Sequence, residues 1–103
     1  MAAAPPYVSY SSCTIATVPA ADWNHVYGSL QALKAHVQEY PGCESFDLFA
    51  HVAADGVVIH CYTTWDTPEQ LDAYLERGYT FERMLRDVAE VGIERNYVME
   101  KVF

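Results

Sequence analysis

Residues 57–71 read VVIHCYTTWDTPEQL, and this stretch does most to decide the fold. Its first part, from Val57 to Trp65, is rich in β-branched and aromatic residues and predicts a strand. Thr67 then has the residue type of an N-cap, Pro68 suits the first helical position, and Gln70 stands three residues after the cap. The stretch therefore predicts a strand that is followed directly by a capped helix.

Both faces of this strand carry large side chains. Helices packed on a single antiparallel sheet cover only one of its faces, so the other face needs a different cover. For a chain of 103 residues, a second copy related by a twofold axis is the expected partner. The two faces are Val57, Ile59, Cys61 and Trp65 on one side, and Val58, His60 and Tyr62 on the other.

The flanking sequence supplies the remaining elements. Periodicity, breakers and the Asp55-Gly56 hairpin signal predict the order β-α-β-β-α-β, which is the ferredoxin-like α+β arrangement. We expect a flexible N-terminal tail over residues 1–6 and a single domain over residues 7–103. The predicted elements are a strand Tyr7–Val18, a helix Ala21–Tyr40, a strand Phe46–Val52, the strand ending at Trp65, a helix after Thr67 with a break at Gly78, and a strand Ile93–Phe103.

The composition disfavours several classes of function. Asp and Glu number 14 against 6 Lys and Arg, a net charge of −8, which disfavours nucleic acid and anionic membranes as partners. No apolar run is long enough to span a bilayer and the first residues lack a secretion signal, which predicts a cytoplasmic protein. Three cysteines without CxxC spacing, no clustered metal ligands and no glycine-rich nucleotide loop predict no metal and no cofactor.

Several motifs together resemble the antibiotic biosynthesis monooxygenase (ABM) family of dimeric α+β barrels. They are the PGC of residues 41–43 after the first helix, Phe46 and Leu48 on the second strand, and Trp65 followed by DTPEQL. The resemblance spans nearly the whole chain. It implies a homodimer with a pocket in each subunit between the sheet and its helices. It also implies oxidation of a polycyclic aromatic or quinol-like metabolite of the anthrone type by O2, without metal or flavin, as in polyketide and antibiotic biosynthesis.

The same resemblance implies a set of site residues. Trp65 corresponds to the family's strand-end Trp, His51 is the nearest candidate for the proton acceptor, and Arg86 is a candidate for stabilising the substrate anion. Cys61 stands where some members carry an amide. The residues predicted to bind substrate are Tyr74, Ser12, Cys61 and Tyr10.

Each predicted catalytic residue also has a structural interpretation. Trp65 could serve only as a core residue, because it buries a large apolar area. His51 lies near the hairpin turn and could be solvated or contact the second subunit. Arg86 is four residues from Glu82 and could form a surface ion pair.

Other activities remain beside the oxygenase. The same scaffold supports a polyketide cyclase or aromatase, which would need no O2, and a non-catalytic dimeric barrel that binds a small aromatic ligand. Haem degradation is disfavoured, because Ser12 stands at the position of the family's Asn and residues 71–86 contain no His that could ligate iron.

Overall fold

In the computed structural model, which describes residues 9–89 and 91–102, an antiparallel sheet of four strands in the order β2-β3-β1-β4 packs against helices on one face. This confirms the ferredoxin-like α+β prediction. The predicted tail, residues 1–6, lies outside the described residues. The elements are β1 Ser9–Val18, a short 3₁₀ turn Ala20–Asp22, α1 Trp23–Val37, β2 Cys43–Ala53, β3 Gly56–Trp65, α2 Pro68–Arg77, α3 Phe81–Val88 and β4 Gly92–Lys101.

The core lies between the sheet and the helices. Helix α1 turns a stripe of four buried residues toward the sheet, with the spacing that the sequence predicts for one helical face. On β3 the odd-numbered residues from Val57 to Trp65 face this core, and each is at most 6% exposed. We call the other side of the sheet the open face. Its side chains include Ile15, Phe49, His51, Val58, His60 and Tyr62.

Helix α1 is shorter at both ends than the sequence predicts. Residues 20–22 form a 3₁₀ turn before it, and the helix ends at Val37 rather than Tyr40. The chain then turns through Gly42, whose φ is +83°, a conformation that a side chain would strain. A Cβ there would also collide with the side chain of Gln70. The PGC motif therefore makes a tight turn against α2.

The hairpin between β2 and β3 is confirmed, but its turn is one residue earlier than predicted. Ala53 pairs with Gly56, so Ala54 and Asp55 form the loop. Gly56 belongs to β3, where an added Cβ would lie 2.2 Å from the carbonyl oxygen of Val18. Glycine is required at this position because β1 passes so close to it.

The predicted start of α2 and the predicted break after it are both confirmed. The hydroxyl of Thr67 accepts a hydrogen bond from the Gln70 amide at 3.2 Å, as an N-cap does. Thr80 caps α3 in the same way, accepting from the Arg83 amide at 3.2 Å. The Arg83 guanidinium also donates to the carbonyls of Leu75 and Gly78 at the end of α2. These bonds fix the corner between α2 and α3.

Candidate functional site

A cavity of about 160 Å³ lies between the sheet and the corner that joins α2 to α3. We call it the candidate cavity. Hydroxyl groups from β1 and β3 line the side nearest the sheet, and aromatic and aliphatic side chains from the two helices line the opposite side. The lining residues are Ser12, Thr14, Cys61, Thr63, Tyr74, Leu75, Thr80, Phe81, Glu82, Arg83 and Asn96.

Tyr74 contributes the most unusual group of the candidate cavity. Its side chain is 2% exposed. The Phe81 backbone N–H approaches the hydroxyl oxygen and lowers its pKa, although less than burial raises it, yet the hydroxyl proton has no acceptor among the described residues. Leaving such a group unpaired in the interior costs roughly 1–3 kcal/mol. Burial also raises the pKa of Tyr74, so the phenol stays protonated at neutral pH. The hydroxyl is therefore a hydrogen-bond donor that lacks an acceptor.

Trp65 lies one layer behind the candidate cavity and does not form its wall. It is fully buried, and its ring stacks on Tyr74 with centroids 4.9 Å apart and planes 30° apart. Its indole N–H donates to the Thr63 hydroxyl at 2.9 Å, and Thr63 is hydrogen-bonded in turn to Ser12. Trp65 thus holds two lining residues in place, and its own donor is already used.

The other predicted substrate-binding residues divide between the cavity and its surroundings. Ser12 and Cys61 line it as expected. Tyr10 does not line it; this side chain is half-buried beside the core, on the strand position paired with Trp65. Burial raises the pKa of Cys61 well above its ordinary value, so its thiol stays neutral and is a poor nucleophile.

The structure does not bring His51 and Arg86 together with Trp65. His51 is paired with Val58 in register and lies on the open face, where its ring is 5.5 Å from that of His60. Arg86 points outward from α3 with 59% of its side chain exposed, and forms an ion pair with Glu82 at 3.6 Å. The sheet itself separates the His51 side chain from the candidate cavity.

Two charged residues of α3 were missed by the sequence interpretation. Glu82 and Arg83 line the candidate cavity, and Glu82 is the one carboxylate among the described residues that do so. The signal that points to them is Thr80, an N-cap residue type directly after the break at Gly78. A helix that begins there turns its first residues toward the end of the preceding helix.

A larger hollow of about 690 Å³ lies at the ends of β1 and β4. The described residues that line it carry small hydroxyl side chains, the Met99 thioether and three charged groups, and none of them has an aromatic ring. Neither unpartnered buried polar atom of the described residues, on Gln70 and Tyr74, belongs to it. The smaller cavity is therefore the stronger candidate for an aromatic ligand.

Two other features are absent from the described residues. No group of three or more His, Cys, Asp or Glu side chains in that part of the chain is placed to hold a metal ion. No helix among the same residues has the length and apolar character needed to cross a membrane.

Solved structures share this fold, whereas no family model and no curated protein matches the chain. A Nitrosomonas europaea protein with the provisional name antibiotic biosynthesis monooxygenase aligns at TM-score 0.72 and 15% identity, over 94% of this chain and 93% of that one. SnoaB, described as a cofactor-independent oxygenase from Streptomyces nogalater, aligns at TM-score 0.67 and 13% identity, over 89% and 91%.

A conserved protein from Bacteroides thetaiotaomicron aligns at TM-score 0.69 and 18% identity, over 91% of this chain and 98% of that one. At these identities the likeness concerns the fold. The resemblance to ABM proteins that the sequence predicts is therefore supported at the level of the fold, and the chemistry must be argued from the candidate cavity.

Thr63→Val tests the hydrogen-bond chain beneath the candidate cavity. Valine keeps the shape of threonine but leaves the indole N–H of Trp65 and the hydroxyl of Ser12 without this partner. We expect the free energy of unfolding to fall by about 1–3 kcal/mol, measured by urea denaturation. The matched control is Thr64→Val on the open face, which should cost less because the Ser11–Thr64 pair is only partly buried. Equal losses in the two variants would contradict the proposed importance of the chain.

Proposed function

We propose that the protein is a cofactor-independent monooxygenase that oxidises a phenolic or quinol-like aromatic metabolite with O2. The anthrone-type polycyclic substrates that the sequence predicts are the larger members of this class. The observation that carries the proposal is the buried hydroxyl of Tyr74, whose proton has no acceptor among the described residues, on a residue that lines a cavity together with Phe81 and Leu75. A fold in common with SnoaB, whose description is that of a cofactor-independent oxygenase, supports it.

The chemistry requires the substrate to be the electron donor. Ground-state O2 is a triplet and reacts poorly with closed-shell molecules, whereas a phenolate passes an electron to it more readily. Radical recombination then forms a C–O bond at a ring carbon that carries hydrogen, which is para to the phenolate oxygen in a phenol or an anthrone and ortho to it in a hydroquinone. Cleavage of the O–O bond follows. One oxygen atom becomes the new quinone carbonyl. The other leaves as water with the phenol proton and the displaced ring hydrogen, so that phenol and O2 give quinone and water.

Three groups of the candidate cavity suit this reaction. Tyr74 would donate its hydrogen bond to the substrate oxygen and stabilise the phenolate. Arg83 would add a positive charge at the rim. Glu82 would accept the phenol proton, in place of the His51 that the sequence suggests. A carboxylate is a weaker base than a phenolate by about 6 pKa units, or about 8 kcal/mol, so stabilisation of the anion must supply most of the driving force.

Arg86 has a positioning role in this scheme. Its ion pair with Glu82 spans one helical turn and is partly exposed, so its direct contribution to stability is small. The pair would hold the Glu82 carboxylate at the rim of the candidate cavity.

Glu82→Gln and His51→Ala separate the two candidate bases. We expect Glu82→Gln to lower kcat/KM by about tenfold. This loss is smaller than the usual loss on removal of a general base, because a carboxylate is a much weaker base than the phenolate it would generate. His51→Ala should leave the rate unchanged, since the sheet lies between His51 and the cavity. Initial rates of quinone formation between about pH 6 and pH 8 measure both effects. A large loss in His51→Ala with none in Glu82→Gln would restore the base that the sequence predicts.

We further propose that two copies associate through the open face and that the enzyme works in the cytoplasm. Phe49 is 60% exposed, and its ring packs edge-on against that of Tyr62 with centroids 6.0 Å apart. Val58 and Ile15 extend this apolar area across the neighbouring strands. An antiparallel sheet with such residues on its open face is stabilised by burial against a second sheet.

Phe49→Asp tests the dimer. We expect the wild-type protein to sediment at twice the mass of the chain at micromolar concentration, because obligate interfaces bury upwards of about 2,000 Å². Phe49→Asp should shift it toward the monomer, since a carboxylate would be buried without a partner. Val52→Asp, on the same strand and 84% exposed on the opposite side of the sheet, is the matched control and should remain dimeric. A monomeric wild-type protein would refute this part of the proposal.

Oxygen uptake tests the proposed reaction itself. The purified, metal-free protein should consume one O2 for each quinone formed, and retain one of its oxygen atoms in that quinone, when it is supplied with a para-unsubstituted phenol or an anthrone. Conversion without O2 uptake would indicate the cyclase or aromatase. Binding without any conversion would indicate the ligand-binding barrel.

A further inference from the structure

The volume of the candidate cavity limits the size of its ligand. It measures about 160 Å³. An engineered apolar cavity of about 150 Å³ binds benzene, so the candidate cavity has room for one six-membered ring and little more. A three-ring anthrone exceeds this volume, so it would enter only with part of its ring system outside the rim or with movement of the surrounding side chains.

The surrounding side chains have little room to move. Tyr74 and Phe81 are each 2% exposed and Cys61 is 2% exposed. Behind Tyr74, the fully buried Trp65 is stacked on it, and the ring of Tyr40 contacts both, with centroids 5.5 Å from Tyr74 and 6.3 Å from Trp65. Protein interiors packed in this way resist added volume. A second fused ring on that side would displace an entire aromatic cluster.

The corner between α2 and α3 bounds another side, and the cavity opens to solvent at the rim that Glu82 and Arg83 form. A Cβ at Gly78 would already lie 2.7 Å from the Tyr74 ring, so the chain passes directly against it. Arg83 donates to three carbonyls at the end of α2, those of Leu75, Glu76 and Gly78. These bonds hold α3 against α2. Truncation of Leu75 or Phe81 would therefore be needed to enlarge the candidate cavity on this side.

The polar groups specify a hydroxylated ring. The Tyr74 hydroxyl lacks an acceptor, and the hydroxyls of Ser12 and Thr63 line the side nearest the sheet. A ring without oxygen would leave the Tyr74 donor unpaired, whereas a phenolic oxygen would accept from it. We propose that the candidate cavity selects single-ring phenols and hydroquinones over fused-ring ones, with Phe81 and Leu75 setting the size limit. This inference rests on the proposed function, because it concerns the same site.

Binding measured without O2 tests the selectivity separately from the reaction. Titration calorimetry under nitrogen would compare hydroquinone, 1,4-dihydroxynaphthalene and 1,8-dihydroxyanthrone on the wild-type protein. We expect hydroquinone to bind at least about tenfold more tightly than either fused-ring compound. Benzene, which fits but cannot accept the hydrogen bond, should bind more weakly than hydroquinone. Tighter binding of the anthrone, or no binding of hydroquinone, would overturn the inference.

Two enlarged variants test the size limit. Phe81→Ala and Leu75→Ala should each improve binding of the naphthalene compound relative to hydroquinone by about tenfold. Leu75 is only half-buried, so its variant keeps the test available if Phe81→Ala does not fold. Tyr27→Ala, at an exposed position of α1, is the control and should leave the ratio unchanged. An unchanged ratio in folded Leu75→Ala would refute its assigned role. Selective binding without O2 uptake would refute the proposed reaction and leave the size selectivity standing.

Discussion

Trp65→Ala should lower the free energy of unfolding by about 3–5 kcal/mol, the usual cost of removing a large buried aromatic side chain. Trp65 is fully buried, stacks on Tyr74, and donates a hydrogen bond to Thr63. Its removal therefore creates a cavity and leaves a buried hydroxyl without its donor. Since domains of this size are stable by only about 5–15 kcal/mol, a large part of the protein's stability is at stake.

The control for this prediction is Trp23→Ala. Trp23 is half-buried at the start of α1. Its ring packs edge-on against that of Tyr27, with centroids 5.8 Å apart. We expect a loss of about 1 kcal/mol there. Urea denaturation of both variants measures the difference. A similar loss in the two would contradict the central place of Trp65 in the core. Trp65→Phe should fold and keep most of its activity, because Trp65 lies behind the cavity.

Tyr74→Phe should lower kcat/KM by about 100- to 1,000-fold, as the loss of one preorganised donor to a developing oxyanion typically does. The same variant should be as stable as the wild-type protein or more stable. The hydroxyl proton has no acceptor among the described residues, so removal of the hydroxyl abolishes a desolvation cost of roughly 1–3 kcal/mol, which outweighs the loss of the contact with the Phe81 backbone N–H. A gain in stability that accompanies a loss of activity is the signature of a group held for a ligand.

The pH dependence of stability gives a second readout for Tyr74. Because burial raises its pKa in the folded protein, the unfolded chain loses this phenol proton at a lower pH than the folded chain does. The titration of Tyr74 therefore leaves the free energy of unfolding unchanged below about pH 10, the ordinary pKa of tyrosine. Above that pH it lowers the free energy of unfolding progressively. Tyr74→Phe should show a shallower fall above pH 10, measured by urea midpoints.

Tyr62→Phe is the control for Tyr74→Phe. Tyr62 lies on the open face, and the pKa of its phenol is raised chiefly by a hydrogen bond with Cys13. Its hydroxyl is separated from the candidate cavity by the sheet. We expect unchanged kcat/KM. A loss of stability in Tyr74→Phe with no loss of activity would show that the hydroxyl has a partner within the protein and no catalytic role.

The fold was predictable because its signals are local. Thr67 and Pro68 start α2 through contacts within one helical turn, and the break at Gly78 needs only the absence of a side chain. Alternation on β3 identifies two apolar faces from neighbouring residues alone. Where boundaries shifted, as in the turn at Ala54 and Asp55, the cause was tertiary: β1 passes too close to Gly56 for any other residue.

The site was less predictable, although one error could have been avoided. An antiparallel hairpin between β2 and β3 places His51 beside the even-numbered residues of β3, whichever of the two turns is chosen, and so on the opposite face from Trp65. That argument from strand parity excludes His51 from a pocket on the helix side. Thr80 indicates where α3 begins, but the positions of Glu82 and Arg83 at the cavity also depend on the angle between α2 and α3, which the local sequence pattern does not specify.

The most direct test of this account is a crystal structure of the protein with hydroquinone, grown and frozen without O2. We expect one ring in the candidate cavity, against Phe81 and Leu75, with a ring oxygen about 2.5–3.0 Å from the Tyr74 hydroxyl. A ring bound in the larger hollow at the ends of β1 and β4, or a candidate cavity filled only by water at saturating hydroquinone, would contradict it.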